Sequence, residues 1–262
     1  MDNVAATLAL GVQLLSAAPC RLLQQITVLA TDIDGTMTLH GRLHADVLDM
    51  VQALTTAGIE VLPVTGRPAG EVLGLVRYLP GIRRAIAENG GVLVQADLPL
   101  HYLRPPIDPK QLAASARELA GPLPWTLAPC SFCRVSDQAW IREPHHTDAA
   151  LAQTAKLAAD MGLFLTWSSV HLHLTNEPAD KGLGLLQVLA TQGLAGTVVA
   201  TIGDAVNDVG LWHPQRFALR VATADVLPRW SQLDHKPAYL VAAEATGWLE
   251  LASALVNSRR AS

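Results

Sequence analysis

Four stretches of the chain set polar, chemically capable side chains directly behind apolar runs. The first is Asp32-Ile33-Asp34-Gly35-Thr36, which follows the apolar run 26–30. Two carboxylates two residues apart can share one cation, or divide the work of nucleophile and acid/base. As an uncompensated negative pair they ask for a divalent metal or a phosphate cradle nearby. Gly35 lets the backbone approach a phosphoryl group closely; the same pattern also suits a surface Asx turn. The second stretch, Thr65-Gly66-Arg67 behind 59–64, offers a hydroxyl and free backbone N–H groups at a helix start. That is an anion site, unless Thr65 simply caps the helix. The third is Lys181, opening a helix after Asp180, where a cation opposes the macrodipole; a solvated surface lysine is the plainer alternative. The fourth is Gly203-Asp204-Ala205-Val206-Asn207-Asp208. Asp204 and Asp208 lie one helical turn apart and can face one metal, Asn207 can donate to a phosphate oxygen, and simple capping is the competing use of the aspartates.

These stretches act together only if the fold brings them to one edge. Strand patterns at 26–30, 59–64, 84–87, 197–202, 217–221 and 238–242 alternate with helical patterns at 44–57, 68–79, 181–192, 206–211 and 246–257. That β-α rhythm predicts an α/β fold, a parallel doubly wound sheet with right-handed crossovers. In such a sheet ligands bind beyond the carboxyl ends of the strands, where all four stretches then project. Between about 91 and 177 prolines cluster, with short strand patterns at 92–95, 132–136, 163–167 and 170–174 and helical ones at 110–120 and 147–161. This reads as a small α+β unit inserted in the chain path. The expected organisation is a core over 1–90 with an N-terminal helical extension at 1–24, a cap over 91–177, and the rest of the core over 178–262.

Composition narrows the function classes. Half of the 262 residues are apolar and only 16% are charged, against roughly 25% in ordinary domains, so there is ample material for a core. A net charge of −4 argues against nucleic acid as a partner. Three cysteines, Cys20, Cys130 and Cys133, make no disulfide framework, and a reducing, cytoplasmic setting fits them. The uncharged run from Asn3 to Cys20 lacks a basic leader, and Leu8, Val12 and Leu15 share one helical face, as in a helix lying on a core rather than a membrane span. The uncharged run from Gly182 to Gly203, interrupted by glycines and ending in β-branched residues, reads as helix then buried strand. No membrane partner is expected, and the chain is expected as a monomer or homodimer.

The set DxDGT, TGR, a later lone lysine and GDxxND resembles the four motifs of the haloacid dehalogenase superfamily of phosphotransferases. The insertion between the second and third motifs, with Glu88-Asn89-Gly90 just before it, is similar to the C2B-capped, Cof-type branch. That branch holds sugar phosphatases, sucrose-phosphate phosphatase, phosphoglycolate-phosphatase-like enzymes and phosphomannomutases. The resemblance covers about 26–94 and 178–211, and again the closing strand and helix from Tyr239 to Leu255; the cap matches only in position and texture. It implies a Rossmann-like core with a small cap, Asp32 as nucleophile forming an aspartyl-phosphate, and Asp34 as acid/base. It further implies Mg²⁺ held by Asp32, the backbone carbonyl of Asp34, Asp204 and Asp208, with Thr65, Gly66, Lys181 and Asn207 on the phosphoryl oxygens. The implied activity is hydrolysis of a small phosphorylated metabolite, a sugar phosphate first and a phosphoglycolate-like acid next. A phosphomutase or a catalytically silent sugar-phosphate binder are the alternatives on the same fold.

Outside the motifs, Arg134 and Arg142 are candidate contacts for a substrate carboxylate or sugar hydroxyls. His171 and His173 share one side of a strand, which faces either solvent or the substrate cleft. The Cys130/Cys133 pair has no second CxxC and no matching histidine spacing, so half-buried thiols are expected in place of a zinc site. The six tryptophans show no stacking ladder and read as core or cap packing.

Overall fold

The computed structural model of the chain describes residues 10–168 and 170–260. Strand β1 (Gln13–Leu14) and the short helix α1 (Cys20–Gln24) precede β2 (Val28–Thr31), α2 (Ala45–Thr56), β3 (Glu60–Pro63) and α3 (Ala69–Tyr78). Then come β4 (Arg84–Ala87), β5 (Val92–Gln95) and β6 (His101–Tyr102). The inserted unit supplies α4 (Pro109–Ala120), β7 (Gln138–Ile141), α5 (Asp148–Asp160), β8 (Phe164–Trp167) and β9 (His171–Thr175). The chain returns through α6 (Lys181–Ala190), β10 (Val199–Gly203), β11 (Leu219–Thr223), β12 (Tyr239–Val241) and α7 (Glu244–Arg260).

Short strands that are apolar on both faces must be covered on both faces, and here they are. Six strands form one sheet in the order β1-β12-β11-β10-β2-β3, with every pair parallel. Leu29, Val61, Ala200 and Val221 pack with Val51 of α2, Val72 of α3 and Trp248 of α7. Their neighbours Val28, Ala30, Leu62 and Val199 point the other way, onto Leu185 and Val188 of α6 and onto Trp212. The result is the expected three-layer α/β core. Register levels the functional edge, with Thr31 opposite both Pro63 and Ile202, so Asp32, Thr65 and Asp204 leave the sheet side by side.

The inserted unit is an antiparallel sheet in the order β7-β9-β8, covered by α4 and α5, with its own cluster around Leu112, Trp140, Leu151, Leu172 and Leu174. Along β9 the leucines face these helices, so His171 and His173 face the opposite way, across the edge of the main sheet.

Several elements differ from expectation. The strand at 84–87 does not extend the parallel sheet as a full member. It touches β3 through one bridge, Val64 to Ile86, and pairs antiparallel with β5. The turn at Glu88, Asn89 and Gly90, with φ of 53°, 53° and 92°, reverses the chain directly into β5, at the point where the inserted unit was expected to begin. Strand β5, expected in the inserted unit, therefore packs Val92 and Val94 into the main core. The strand expected at 132–136 is instead a 3-10 turn, Pro129–Cys133, opened by a proline and tied by Ser131 Oγ to Ala139 O. The helix expected at 206–211 is the 3-10 turn Val206–Trp212. At the N-terminus, residues 1–9 lie outside the described residues. From residue 10 on, the expected continuous helix is replaced by β1, which adds to the open edge of β12, by a 3-10 turn at Leu15–Ala17, and by α1 after Pro19. Among the described residues no helix is long and apolar enough to cross a membrane, and the uncharged stretch 182–203 forms α6 and β10 inside the core.

Candidate active site

At the floor of the edge, Lys181 is fully buried in the first turn of α6. Its ammonium donates to Asp32 Oδ1 at 2.7 Å and to Asp208 Oδ1 at 2.6 Å. A cation at a helix start opposes the macrodipole; here two charge-assisted hydrogen bonds offset that, and Asp180 caps the helix by accepting from the N–H of Gly182 and Leu183. The lysine is thus no solvated surface residue. The other oxygen of Asp208 accepts from the N–H of Asp204 and Ala205, at 2.9 and 3.0 Å, which fixes the turn carrying Asp204. Thr36 Oγ1 donates to Asp204 Oδ1 at 3.2 Å. Gly35 sits at φ 78°, and a Cβ there would stand 2.6 Å from Asp204 Oδ2, so both backbone and space require glycine.

Three carboxylates against one ammonium leave the floor strongly negative. Burial, with Asp208 and Asp34 adding to it, pushes the Asp32 carboxyl up to about 7 in spite of Lys181. Burial, with Asp208 and Asp32 adding to it, holds Asp204 well above the carboxylate range. Burial alone would lower the Lys181 ammonium, but Asp208 and Asp32 more than reverse this and keep it protonated. Oxygens of Asp32, Asp204 and Asp208 lie within 4.8 Å of one another. Asp32 Oδ2 and Asp204 Oδ2 accept no hydrogen bond from a described residue. An all-oxygen set with excess negative charge fits a hard divalent cation.

The next strand end supplies the wall. Thr65 is buried and caps no helix, since α3 begins only after Pro68; its Oγ1 accepts from the Arg67 N–H at 3.1 Å. Asn89 donates its N–H to Thr65 O, and its side-chain oxygen accepts from Asn207 Nδ2 at 3.2 Å, joining three of the strand-end loops. Arg67 grips Asp34 with a fork, Nε to Oδ2 at 2.8 Å and Nη2 to Oδ1 at 2.6 Å, and reaches Glu71 as well. Hydrogen bonding to Asp34 is the main reason the guanidinium is held above its ordinary value.

Over this floor lies a cavity of about 520 Å³, within the range of small-molecule sites. Asp32, Asp34, Thr65, Gly66, Asp204 and Asn207 line one side; Arg134, His171 and His173 line the other. Arg134 donates to Asp137 Oδ1 at 2.6 Å and to Gly66 O at 3.1 Å, tying the cap to the loop 65–67. His173 Nδ1 lies 2.8 Å from Asp137 Oδ2, so of solvent and cleft this side of the strand faces the cleft, with His173 buried in its wall and His171 half-buried. Burial would raise the Asp137 carboxyl, yet Arg134 and His173 hold it far below the usual range. Arg142 is not brought to the cavity. It donates to Asp148 Oδ1, His146 O and Ser168 O, and so braces the cap itself.

Sequence reasoning noted Glu88, Asn89 and Arg67 only as parts of motifs, with no role of their own, and passed over Asp137. Glu88 is fully buried and accepts from Ala69 N, Val135 N, Ser136 N, Ser136 Oγ and Asp137 N at 2.6–3.1 Å. It therefore clamps the start of α3 to the cap loop 134–137. The strand-end rule that found the other loops applies to Glu88 as well, since it directly follows β4; nothing local marks Asp137. The CxxC thiols are half-buried on their 3-10 turn, where Cys133 Sγ donates to Cys130 O.

No family model matches the chain. It is similar to the phosphoglycolate phosphatase of Halobacterium salinarum, 30% identical over 199 residues that cover 75% of this chain and 84% of that protein. Among solved structures, Thermoplasma acidophilum 0175 superposes with a TM-score of 0.73 at 16% identity, over 88% of this chain and 98% of the other. A HAD/COF-like hydrolase from Plasmodium vivax superposes with a TM-score of 0.71 at 14% identity, over 90% and 98%. At such identities the structures speak for the fold, while the relative speaks for the family. With the strand-end residues arranged as above, the chain belongs to the haloacid dehalogenase superfamily of phosphatases.

Proposed function

We propose that the protein is a Mg²⁺-dependent phosphomonoesterase that hydrolyses a small phosphorylated acid of the phosphoglycolate type through an aspartyl-phosphate on Asp32. The observation that carries this reading is the fully buried Lys181 ammonium, 2.7 Å from Asp32 Oδ1 and 2.6 Å from Asp208 Oδ1. It favours the ionised form of Asp32 in a desolvated site and leaves the second oxygen of that carboxylate free to attack phosphorus. Thr65 Oγ1, the Gly66 N–H, Asn207 and Lys181 would hold the phosphoryl oxygens. Asp34 would give a proton to the leaving oxygen, and then take one from the water that attacks the phosphoaspartyl group, releasing phosphate and restoring Asp32. Arg67 grips both Asp34 oxygens in the free protein, so the acid step requires that fork to open. Asp32, Asp204 and the Asp34 carbonyl would hold Mg²⁺, with Asp208 orienting the set. When bound, the metal supplies Lewis-acid neutralisation of phosphoryl charge.

Sequence reading ranks a sugar phosphate ahead of an acid. The phosphoglycolate phosphatase relative and the nitrogen-rich cap wall of Arg134, His171 and His173 support the reverse order. Free thiols at Cys20, Cys130 and Cys133 support a cytoplasmic location. The test is phosphate release from phosphoglycolate, sugar phosphates and an aryl phosphate, with Mg²⁺, with EDTA, and in Asp32→Asn. Turnover should require Mg²⁺ and fall on the order of 10⁴-fold or more in Asp32→Asn. Undiminished release in that variant would sink the mechanism. Isomerisation of a sugar phosphate would favour a mutase, and binding without any turnover would favour a silent binder.

A further inference from the structure

We propose that His171 reads the non-phosphate end of the substrate, its imidazole donating a hydrogen bond to a carboxylate seated against the cap wall of the cavity. The proposal deepens the phosphoglycolate-type reading above and rests on it.

Away from Asp32 the cavity lining carries five other ionisable side chains, and each already has a partner; the Cys130 thiol, for one, accepts from Arg134 Nη2. Arg67 grips Asp34 and Glu71, which occupies Glu71 in turn. Arg134 and His173 both bind the buried Asp137 carboxylate. His171 differs from them. Its backbone is fixed, the N–H donating to Ser168 Oγ at 3.0 Å and the strand paired to Ile141, while its half-buried ring makes no hydrogen bond to a described residue. The ring contacts His173 edge to face, with centroids 6.0 Å apart, which sets its plane against the wall.

The local charge says what such a ring receives. Burial, then His173 and Arg134, push its pKa down to about 4, so at neutral pH it is an uncharged imidazole with one N–H to give. Arg134, which resists a further positive charge on the ring, favours a negative charge beside it. Asp137, the nearest carboxylate along the network, spends its oxygens on Arg134 and His173. An acid group can therefore take the free N–H without meeting an unpaired like charge. A neutral, hydroxyl-bearing tail gains much less there, because a hydrogen bond to a charged acceptor contributes about twice as much as one to a neutral acceptor.

The experiment compares 2-phosphoglycolate with its carboxamide analogue, 2-phosphoglycolamide, in the full-length protein with Mg²⁺. The readout is the ratio of their kcat/KM values in wild type, His171→Ala and His171→Gln. Wild type should prefer the acid; His171→Ala should cut that preference by about 10- to 100-fold, the range of one hydrogen bond to a charged group, and His171→Gln, which keeps an N–H, should restore part of it. A ratio unchanged in His171→Ala would overturn the proposal, and so would an equal loss on both substrates, which marks a merely structural role. If wild type shows no preference for the acid, the acid-substrate reading itself fails and takes the proposal with it. If wild type prefers the acid and His171→Ala does so equally, only the assignment to His171 fails.

Discussion

The chemistry of the floor depends on one side chain being where solvent is not. Lys181 has no exposure, and among the described residues it is the sole cation bonded to the cluster of three close carboxylates. Removing it by Lys181→Met should leave Asp32 and Asp208 buried without a countercharge, at a loss of about 3–5 kcal/mol, the range for breaking a buried ion pair. Urea unfolding measures this, and added Mg²⁺ should recover part of it, because the cation replaces the missing charge. A variant as stable as wild type would mean that the carboxylates are protonated and that the ion pair is no structural tie. At this scale the sequence is highly informative wherever a residue follows an apolar strand. Asp32, Asp34, Thr65 and Asp204 were all readable from position, because a parallel sheet throws its strand ends to one edge. Lys181 was harder, since a lysine after Asp180 looks the same in sequence whether buried or solvated. Asp137 was invisible, because its meaning comes from Arg134, His173 and Glu88, which reach it only through tertiary packing.

Among the elements, the loop after β4 has the widest reach. Its left-handed residues turn the chain back into β5 and at the same time aim the Glu88 carboxylate between α3 and the cap loop. In Glu88→Gln one acceptor becomes a donor facing the N–H groups of residues 135–137. The expected loss is about 1.5–3 kcal/mol, with faster hydrogen exchange confined first to 134–137 and the start of α3. Uniform exchange across the molecule would show that the clamp is not local. Helices with a clear apolar stripe, such as α2, and buried strands such as β10 were legible from pattern. The 3-10 turn Val206–Trp212 was not, because a seven-residue stretch with an apolar beat reads as helix while its shape is set by the Asp208 cap. The antiparallel course of β5 was equally hidden, since β-α-β and β-turn-β begin with the same apolar run and part only at the backbone angles of residues 88–90.

At the scale of the whole molecule, core and cap meet through polar ties that flank the cavity: the Glu88 clamp, Arg134 to Gly66 O, and Gln232 Nε2 to Asp148 Oδ2 at 3.4 Å. These ties hold the two halves of the site in register, so cap residues that never touch phosphate still set where Gly66 stands. The far side of the sheet raises a different matter. Among the described residues strand β12 has β11 on one side and only the two residues of β1 on the other, with the Gln13 N–H donating to Ala238 O at 3.3 Å. An uncovered strand edge is a template for another chain. Gln13→Pro removes that donor and disfavours the pairing, so the variant should form larger, concentration-dependent species than wild type by light scattering, with the strand ends around Asp32 left intact. Scattering that matches wild type at high concentration would mean that β1 guards nothing. The two-residue strand is thus a matter of colloidal behaviour: it decides how crowded a solution the folded protein tolerates before sheets begin to stack edge to edge.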